Sequence, residues 1–426
     1  MPSDRPSAGD VAHATLRLGR LMLVNGADAG YVQQTATAFA ARRGYDAHLL
    51  VWSEGLLLTL ENDQGFRTKL GSAISGMVVN MGALAKLADI LRQDIGPDLN
   101  LAAVDSQLDA VELTGNRYPH WLVILGMGIT AASLARLFGA AWPVVGVSFL
   151  VGLVTQCLRQ SFGAFAVNPI AGAGLAAFGG GLVGALLMRA FPGVSPALCL
   201  VAAGMILVPG VPLLNGVRDT VGSHVGTGMS RLLLGTVTVL SISLGLLLAA
   251  DLAGTTLPIG GAVPLLPVGE DFLFSGLAGV GFALLFNVPA RAAWTCVLCA
   301  IIGHGLRTAF EHLGLDLAVG SLAGAFCAAL VARLLARRFR VPPVTFAFPG
   351  VVAMIPGSYA FRAGIGGLAI VQGGTDAAPA LIGNTISLAI TSILVTAAIA
   401  IGLCLALSAP LEHLHSSSSK SKGILQ

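Results

Sequence analysis

Residues 232–252 read LLLGTVTVLSISLGLLLAADL, a run in which Asp251 is the only charged residue. A helix rises 1.5 Å per residue, so about 20 apolar residues cross the roughly 30 Å hydrocarbon core of a bilayer. Of the 426 residues, 55% are hydrophobic and only 11% are charged, with a mean hydropathy of +0.82; an ordinary globular domain has about 25% charged residues. The sequence therefore predicts a mainly α-helical membrane protein rather than a large soluble core.

Similar apolar runs occur on both sides of this segment and predict about ten membrane crossings. These are residues 121–138, 142–158, 170–188, 196–215, 232–252, 272–286, 292–306, 317–335, 344–361 and 381–407. Arginines and lysines concentrate in alternate loops, which the positive-inside rule assigns to the cytoplasm. The first twenty residues carry five charges, so no signal peptide is expected. We expect a multi-pass protein of the cell (inner or plasma) membrane with both termini in the cytoplasm.

The sequence divides into four predicted parts. Residues 1–119 form a small cytoplasmic α+β domain, because helical periodicity at 11–44, 81–92 and 105–113 surrounds residues 48–70, where a β-hairpin is predicted. Residues 120–260 and 261–410 form two membrane repeats. Residues 411–426, which include a run of serines, form a disordered tail.

The two membrane parts share a repeated pattern. Residues 152–162, GLVTQCLRQSF, align with residues 300–310, AIIGHGLRTAF, at an offset of about 148. At nearly the same offset Asn168 corresponds to Asp316, and Val-Pro-Gly at 208–210 corresponds to Ile-Pro-Gly at 355–357. Two repeats of five spans each must enter the membrane in opposite orientations. Inverted repeats are typical of secondary transporters; a duplicated channel or membrane enzyme is the alternative.

The fourth span of each repeat is broken by proline and glycine. Proline frees a carbonyl in the preceding turn, and matched breaks predict a transporter binding site. A freed helix N-terminus suits a carboxylate and freed carbonyls suit an ammonium group, so a zwitterionic small molecule fits both. The predicted substrate-binding residues are Pro209, Gly210, Pro212, Asn215, Arg218, Pro356, Gly357, Ser358, Tyr359 and Arg362. Packing kinks at the prolines and interfacial anchoring by the arginines are the alternatives.

Ionisable groups near the spans are candidates for proton coupling, because a charge inside a bilayer is costly. We predict Asp219, Asp316 and His304, with interfacial or packing roles as the alternatives. Asp316 corresponds to the uncharged Asn168, so one repeat alone would titrate there. The six cysteines lie in apolar runs and are predicted to be core residues. No metal, cofactor, catalytic residue or nucleic-acid partner is expected.

Two groups of residues resemble a known family. They are Asn-Gly-Ala-Asp at 25–28 with Tyr-Val-Gln-Gln-Thr at 31–35, and the two Pro-Gly segments, of which residues 208–219 are the most specific. The chain resembles the threonine/serine exporter family from about residue 11 to 407, although Asn25, Tyr31 and Gln33 depart from its usual pattern. The resemblance implies proton-driven export of threonine and serine and adds Asn384 to the substrate-binding residues.

Two other functions remain open at this stage. The resemblance also includes split relatives linked to dicarboxylates such as succinate, for which Arg218 and Arg362 would supply two cationic contacts. A membrane-anchored enzyme acting through Asp28, His48 and Glu54 is the second alternative, although these residues show no nucleophile–base or metal-ligand spacing. The expected partners are the small-molecule substrate, protons and the lipid bilayer, and a homo-oligomer is compatible with the sequence.

Overall fold

The computed structural model describes residues 7–408, except 64, 75, 94–100, 114, 116, 256–258 and 261–263. These residues form sixteen α-helices and one three-stranded sheet, so the chain is mainly helical as predicted. The predicted tail at 411–426 lies outside the described residues.

The N-terminal part contains four helices and the sheet. The elements are α1 (Ala8–Val24), α2 (Ala29–Ala41), β1 (Asp46–Val51), β2 (Leu56–Asn62), β3 (Gly65–Leu70), α3 (Met81–Gln93) and α4 (Leu101–Glu112). Ser7 and Asp28 cap α1 and α2 because their side-chain oxygens accept free backbone N–H groups. Strand β1 alternates exposed and buried residues, as expected for a sheet with one face on the core.

The sheet corrects one detail of the sequence analysis. Residues 48–60 do not form a single hairpin arm, because Trp52 N–H donates to the carbonyl of Gly55 and closes a turn between β1 and β2. The result is an antiparallel sheet of order β1-β2-β3 in place of a two-stranded hairpin.

Eight helices are long and apolar enough to cross a membrane. They are α5 (His120–Leu137), α6 (Trp142–Ala164), α7 (Pro169–Met188), α10 (Val225–Leu252), α11 (Val268–Leu285), α12 (Ala293–His312), α13 (Leu317–Phe339) and α16 (Pro379–Ser408). Two further spans are each built from a bent pair of helices. Helices α8 (Ala197–Met205) and α9 (Gly210–Val221) meet at 59°; α14 (Val344–Val351), extended by a 3₁₀ turn, and α15 (Gly357–Gly373) meet at 50°. The total of up to ten agrees with the predicted number of crossings.

The helices of the first half and the second half pack in corresponding pairs. In the first half α5 packs on α6, α6 on α7, α7 on α10 and α9 on α10; in the second half α11 packs on α12, α12 on α13, α13 on α16 and α15 on α16. Small residues allow the close approach: a Cβ on Gly245 of α10 would lie 2.1 Å from the carbonyl oxygen of Gly174 in α7. Between the halves, α5 packs on α11, α9 on α16 and α10 on α15.

Candidate functional site

Both bent spans are interrupted by the same local structure. Pro209 has φ −75° and ψ 61°, and the N–H of Gly210 donates to the carbonyl of Val208 at 2.8 Å. Pro356 has φ −77° and ψ 51°, and the N–H of Gly357 donates to the carbonyl of Ile355 at 2.7 Å. These are inverse γ-turns centred on proline. Each turn ends one helix and starts the next, as predicted from the matched Pro-Gly pairs.

The two breaks contact each other in the interior of the protein. A Cβ on Gly357 would lie 2.4 Å from Cγ2 of Val208, and a Cβ on Gly210 would lie 2.5 Å from Cδ1 of Ile355. A Cβ on either glycine would therefore displace a side chain of the other break. The breaks predicted from the sequence form one structural unit rather than two separate kinks.

A cavity of about 130 Å³ lies beside the second break. We call it the α12 cavity; it is lined by Leu137, Phe138, Pro264, Leu265, Leu266, Asp271, His304, Arg307, Thr308, Glu311, Leu317, Ala353, Met354, Ile355, Pro356, Tyr359 and Val395. Drug-sized ligands occupy cavities of about 300–1,000 Å³, so this space suits a small solute. Asp271 lies in the first turn of α11, whereas Phe286, after the other end of that helix, accepts from the N–H of Met81 in the N-terminal part. The cavity and the N-terminal part thus lie at opposite ends of α11.

A chain of polar groups from α11 and α12 forms one wall of the cavity. Nδ1 of His304 lies 2.8 and 2.9 Å from the two carboxylate oxygens of Asp271, and Thr308 Oγ1 donates to the same carboxylate at 2.7 Å. Nε2 of His304 lies 2.6 Å from Nη2 of Arg307. Asp271 and His304 are each only 2% exposed. The hydrogen bonds between these polar groups offset the free-energy cost of burying them.

Arg307 and Glu311 are close in the same cavity but are not hydrogen bonded to each other. Arg307 Nε and Glu311 Oε1 are 3.7 Å apart, beyond the length of a hydrogen bond. Both atoms are buried and have no hydrogen-bond partner among the described residues. Arg307 Nη1 donates to the carbonyl of Met354 at the second break, at 3.3 Å. The cavity therefore holds a cationic and an anionic group with bonding capacity left over, which can bind a solute carrying both charges.

At the other end of the molecule the α1–α2 loop docks on α9 and α10. We call Asp28, Asn215, Arg218, Asp219 and Arg231 the docking cluster. The N–H of Ala29 donates to Asp219 Oδ1 at 2.8 Å, and Arg231 donates to Asp219 Oδ2 at 2.6 Å. The Arg231 and Asp219 side chains are 4% and 0% exposed. This buried ion pair joins α9 to α10, and the N-terminal part bonds to both of its members, because Arg231 Nη2 also donates to the carbonyl of Ala27 at 2.9 Å.

Two further bonds complete the docking cluster. Asn215 Nδ2 donates to the carbonyl of Gly26 at 2.9 Å, and Arg218 Nη2 lies 3.2 Å from Asp28 Oδ2. The Arg218 guanidinium also lies 5.3 Å from the ring centroid of Phe348 in α14, within cation–π range. The loop from Gly26 to Asp28 thus covers the end of α9 and reaches the second broken span.

The structure places the predicted residues in different environments. Pro356, Tyr359 and His304 line the α12 cavity, whereas Asn215, Arg218 and Asp219 belong to the docking cluster. The remaining predicted residues lie in the following places: Pro209, Gly210 and Gly357 at the contact between the breaks, Pro212 in the first turn of α9, Ser358 buried at the start of α15, Arg362 donating to the carbonyl of Ile259, Asn384 exposed on α16, and Asp316 exposed before α13.

Asp316 and Asn168 share a local role. Each is the N-cap residue of its helix: Asp316 Oδ1 accepts from Ala318 N–H at 2.8 Å, and Asn168 Oδ1 accepts from Ile170 N–H at 2.9 Å. The correspondence that suggested a proton site therefore marks equivalent helix starts, where either residue can cap.

The residues considered for an enzymatic site do not form a common centre. Asp28 caps α2 and pairs with Arg218, the His48 side chain is 71% exposed on β1, and Glu54 lies in the β1–β2 turn. Within the described residues, no group of three or more His, Cys, Asp or Glu could hold a metal ion.

Sequence reasoning missed the residues that give the α12 cavity its charge: Asp271, Arg307 and Glu311. A signal for two of them was present. His304, Arg307, Thr308 and Glu311 follow the i, i+3, i+4, i+7 spacing of one helical face, so α12 carries a polar stripe within an apolar span. Asp271 had no such signal, because it lies at the start of α11 next to a loop.

Up to ten membrane-crossing elements, two proline breaks in contact and a small charged cavity beside them define a multi-pass membrane protein of the transporter class. A family model described as a threonine/serine exporter matches residues 13–253, more than half of the chain, and a second, "Threonine/Serine exporter, ThrE", matches residues 271–409. The chain belongs to the threonine/serine exporter family, which confirms the resemblance drawn from its motifs.

Curated relatives include subunits of named transporters. The chain is 24% identical over 257 residues to "Probable succinate transporter subunit YjjP" of Klebsiella aerogenes, covering 60% of this chain and 98% of that protein. It is 24% identical over 248 residues to the protein of the same name in Escherichia coli (strain K12), covering 57% and 95%. An uncharacterised protein of Haemophilus influenzae is 32% identical over 135 residues, 32% of this chain and 45% of that protein. No solved structure shows significant similarity.

Proposed function

We propose that this protein is a secondary transporter that exports the small amino acids threonine and serine in exchange for protons. The observation that carries the proposal is the ion pair of Arg307 and Glu311 in the α12 cavity, whose Nε and Oε1 are buried, 3.7 Å apart and without a hydrogen-bond partner among the described residues. An amino acid has a carboxylate and an ammonium group on one carbon, so it can bridge the two. Each buried charge then gains a charge-assisted hydrogen bond, the stronger kind.

The charge balance of the cavity favours a zwitterion over a dicarboxylate. Among the described lining residues Arg307 is the only arginine or lysine, whereas Asp271 and Glu311 are acidic. A second substrate carboxylate would face Glu311, and like charges in a buried site repel. Tyr359, from the first turns of α15, adds a hydroxyl group next to the second break.

A dicarboxylate remains the second candidate substrate. One observation favours it: the relatives in K. aerogenes and E. coli are named as succinate transporter subunits. The two candidates differ in what they require of Glu311. A zwitterion needs its negative charge, whereas a dicarboxylate is bound better without it.

We further propose that residues 1–119 form a cytoplasmic domain that closes the inner end of the pathway, in a protein of the inner or plasma membrane with both termini in the cytoplasm. The docking cluster supports this, because the Gly26–Asp28 loop is held against α9 by buried hydrogen bonds while the α12 cavity lies at the opposite end of the helices. In this arrangement the protein acts as a transporter and not as an enzyme.

Alternating access would follow from two inverted repeats, residues 120–260 and 261–410. The corresponding helix pairs of the two halves and the identical γ-turns at Pro209 and Pro356 support this arrangement. In such transporters the two halves exchange conformations around a central site. We propose that the two halves move relative to each other at the contact between the breaks. In the inward-facing state the docking cluster would be open.

The test is transport by purified protein in inside-out proteoliposomes, using labelled threonine, serine and succinate with and without an imposed pH gradient. We expect gradient-stimulated uptake of threonine and serine, at least tenfold lower in Glu311→Gln. Glu270→Gln is the matched control, because Glu270 also lies near the cavity end of α11 but pairs with Arg136 outside the cavity. Succinate uptake that rises in Glu311→Gln would support the second candidate, and uptake of none of the three would contradict the transporter proposal.

A further inference from the structure

The hydrogen bonds of His304 determine which of its nitrogens carries a proton. An arginine guanidinium has donors only. Because Arg307 Nη2 lies 2.6 Å from His304 Nε2, Nε2 is the acceptor of that bond. The proton of the neutral ring is then on Nδ1, which donates to the Asp271 carboxylate at 2.8 Å. In this arrangement His304 is neutral, and its Nε2 accepts a hydrogen bond from Nη2 of Arg307.

A second proton on His304 would be incompatible with this arrangement. It would place an N–H donor and a positive charge 2.6 Å from another donor and another positive charge. Asp271 would stabilise the imidazolium, since it already accepts from Nδ1 with both oxygens. Arg307 would lose the acceptor of its Nη2, while its Nη1 keeps the carbonyl of Met354. The Glu311 carboxylate is already paired with Arg307 at 3.7 Å, and a small movement of the guanidinium closes that separation to a charge-assisted hydrogen bond.

The other groups around His304 do not change this outcome. The titratable and charged groups facing it among the described residues are Asp271 from α11, Arg307 and Glu311 from its own helix, and Tyr359 from α15. Asp316, before α13, and His312 act electrostatically on Glu311 and do not line the cavity. Only Asp271 is positioned to compensate a charge on the ring.

We propose that His304 couples proton binding to substrate release: its protonation closes the loose Arg307–Glu311 ion pair to hydrogen-bond distance, so that neither group has bonding capacity left for the substrate. This inference rests on the proposed function of the α12 cavity. A proton and a substrate molecule then occupy the site in turn, which is the requirement for exchange transport. The first repeat has no histidine at the equivalent position. That position is Gln156, which is buried and does not titrate.

The test is equilibrium binding of labelled threonine to the purified full-length protein in nanodiscs between pH 5 and 8. If proton and substrate compete one for one, the apparent Kd rises about tenfold per pH unit below the titration of His304. In His304→Gln we expect a Kd that stays constant over this range, because the Gln carbonyl still accepts from Arg307 but gains no proton. His312→Gln is the matched control: it removes a histidine of the same helix that bonds to the carbonyl of Leu266, and the pH slope should remain.

Asp271→Asn provides an independent measurement if His304→Gln does not fold. Without the carboxylate the imidazolium is less stable, so the pH at which binding weakens should move down. A wild-type Kd that does not change with pH, a slope that persists in His304→Gln, or a midpoint unchanged in Asp271→Asn would each overturn the inference while leaving the transport proposal intact. Absence of threonine binding at every pH in the wild type would overturn the inference and count against the amino-acid substrate as well.

Discussion

Removal of one charge from the docking cluster should loosen the contact between the N-terminal domain and the membrane helices. We choose Asp219→Asn, because Asp219 accepts from both Arg231 and the N–H of Ala29 and is fully buried. The substitution keeps the size of the side chain but leaves Arg231 buried without a carboxylate. Arg231 and Asp219 both belong to the membrane part, so what the contact itself loses is the charge that accepts from Ala29 N–H. A hydrogen bond to a charged group contributes about 1.5–3 kcal/mol. At 1.4 kcal/mol per factor of ten, the undocked state should become about tenfold more populated.

The assay is amide hydrogen exchange of the peptide that covers residues 25–31, measured by mass spectrometry. In the wild type the Ala29 N–H is protected by its bond to Asp219, and exchange of that amide requires local opening. We expect exchange in Asp219→Asn to be about tenfold faster. The control is Asp89→Asn, which removes an exposed ion pair with Arg92 in the same domain and should change little. Equal exchange in Asp219→Asn and the wild type would refute the docking role of the pair.

Three further predictions concern packing and pH. Gly357→Ala should lower the free energy of unfolding by about 1–3 kcal/mol, because its Cβ would lie 2.4 Å from Val208. Adding Val208→Ala should restore part of this loss. If the second substitution restores nothing, the contact between the breaks is contradicted. Gly245→Ala should be strongly destabilising because its Cβ meets backbone, whereas Gly367→Ala, with nothing within 4 Å, should be neutral or stabilising; equal melting temperatures would disprove this. Hydrogen bonds from two arginines of α1 hold the pKa of the Glu112 carboxyl below its ordinary value. The ionised carboxyl therefore contributes at most about 1 kcal/mol to the free energy of unfolding at neutral pH, and this contribution disappears as the pH falls through the lowered pKa. Melting curves of the wild type and Glu112→Gln should therefore differ at pH 7 and converge in acid.

In the proposed transport cycle the docking cluster and the α12 cavity have different roles. The docking cluster joins the α1–α2 loop to α9 and α10 through hydrogen bonds at one end, and the α12 cavity holds charged groups at the other. They are connected through the breaks, since Gly210 of the first packs on Ile355 of the second. Opening of the docking cluster would free Arg218, which also contacts Phe348 in α14.

Composition and spacing alone were sufficient for the fold class. The length of an apolar run is dictated by the thickness of the bilayer, so each predicted crossing overlaps a helix or a bent helix pair of the structure, although the observed helices extend further: α10 begins at Val225 and α15 ends at Gly373. The proline breaks were equally accessible, because proline cannot continue the hydrogen-bond pattern of a helix wherever it lies in the fold. The α+β character of the N-terminal part followed from periodicity, and only the turn at Trp52 to Gly55 changed the number of strands.

The charged sites depended on tertiary structure. Asp271 and His304 are 33 residues apart, and Asp28 and Arg218 are 190 apart; no local spacing identifies such partners. The helix-capping bond of Asp316 was likewise not anticipated from the sequence, and its role in proton coupling stays a prediction. Each segment that crosses a bilayer must by itself be apolar and long enough. The sequence therefore determined which segments can cross the membrane and where they break. The pairing of buried charges depends on which helices pack together, and therefore only the tertiary structure decided which ionisable residues meet and which atoms remain available for a substrate.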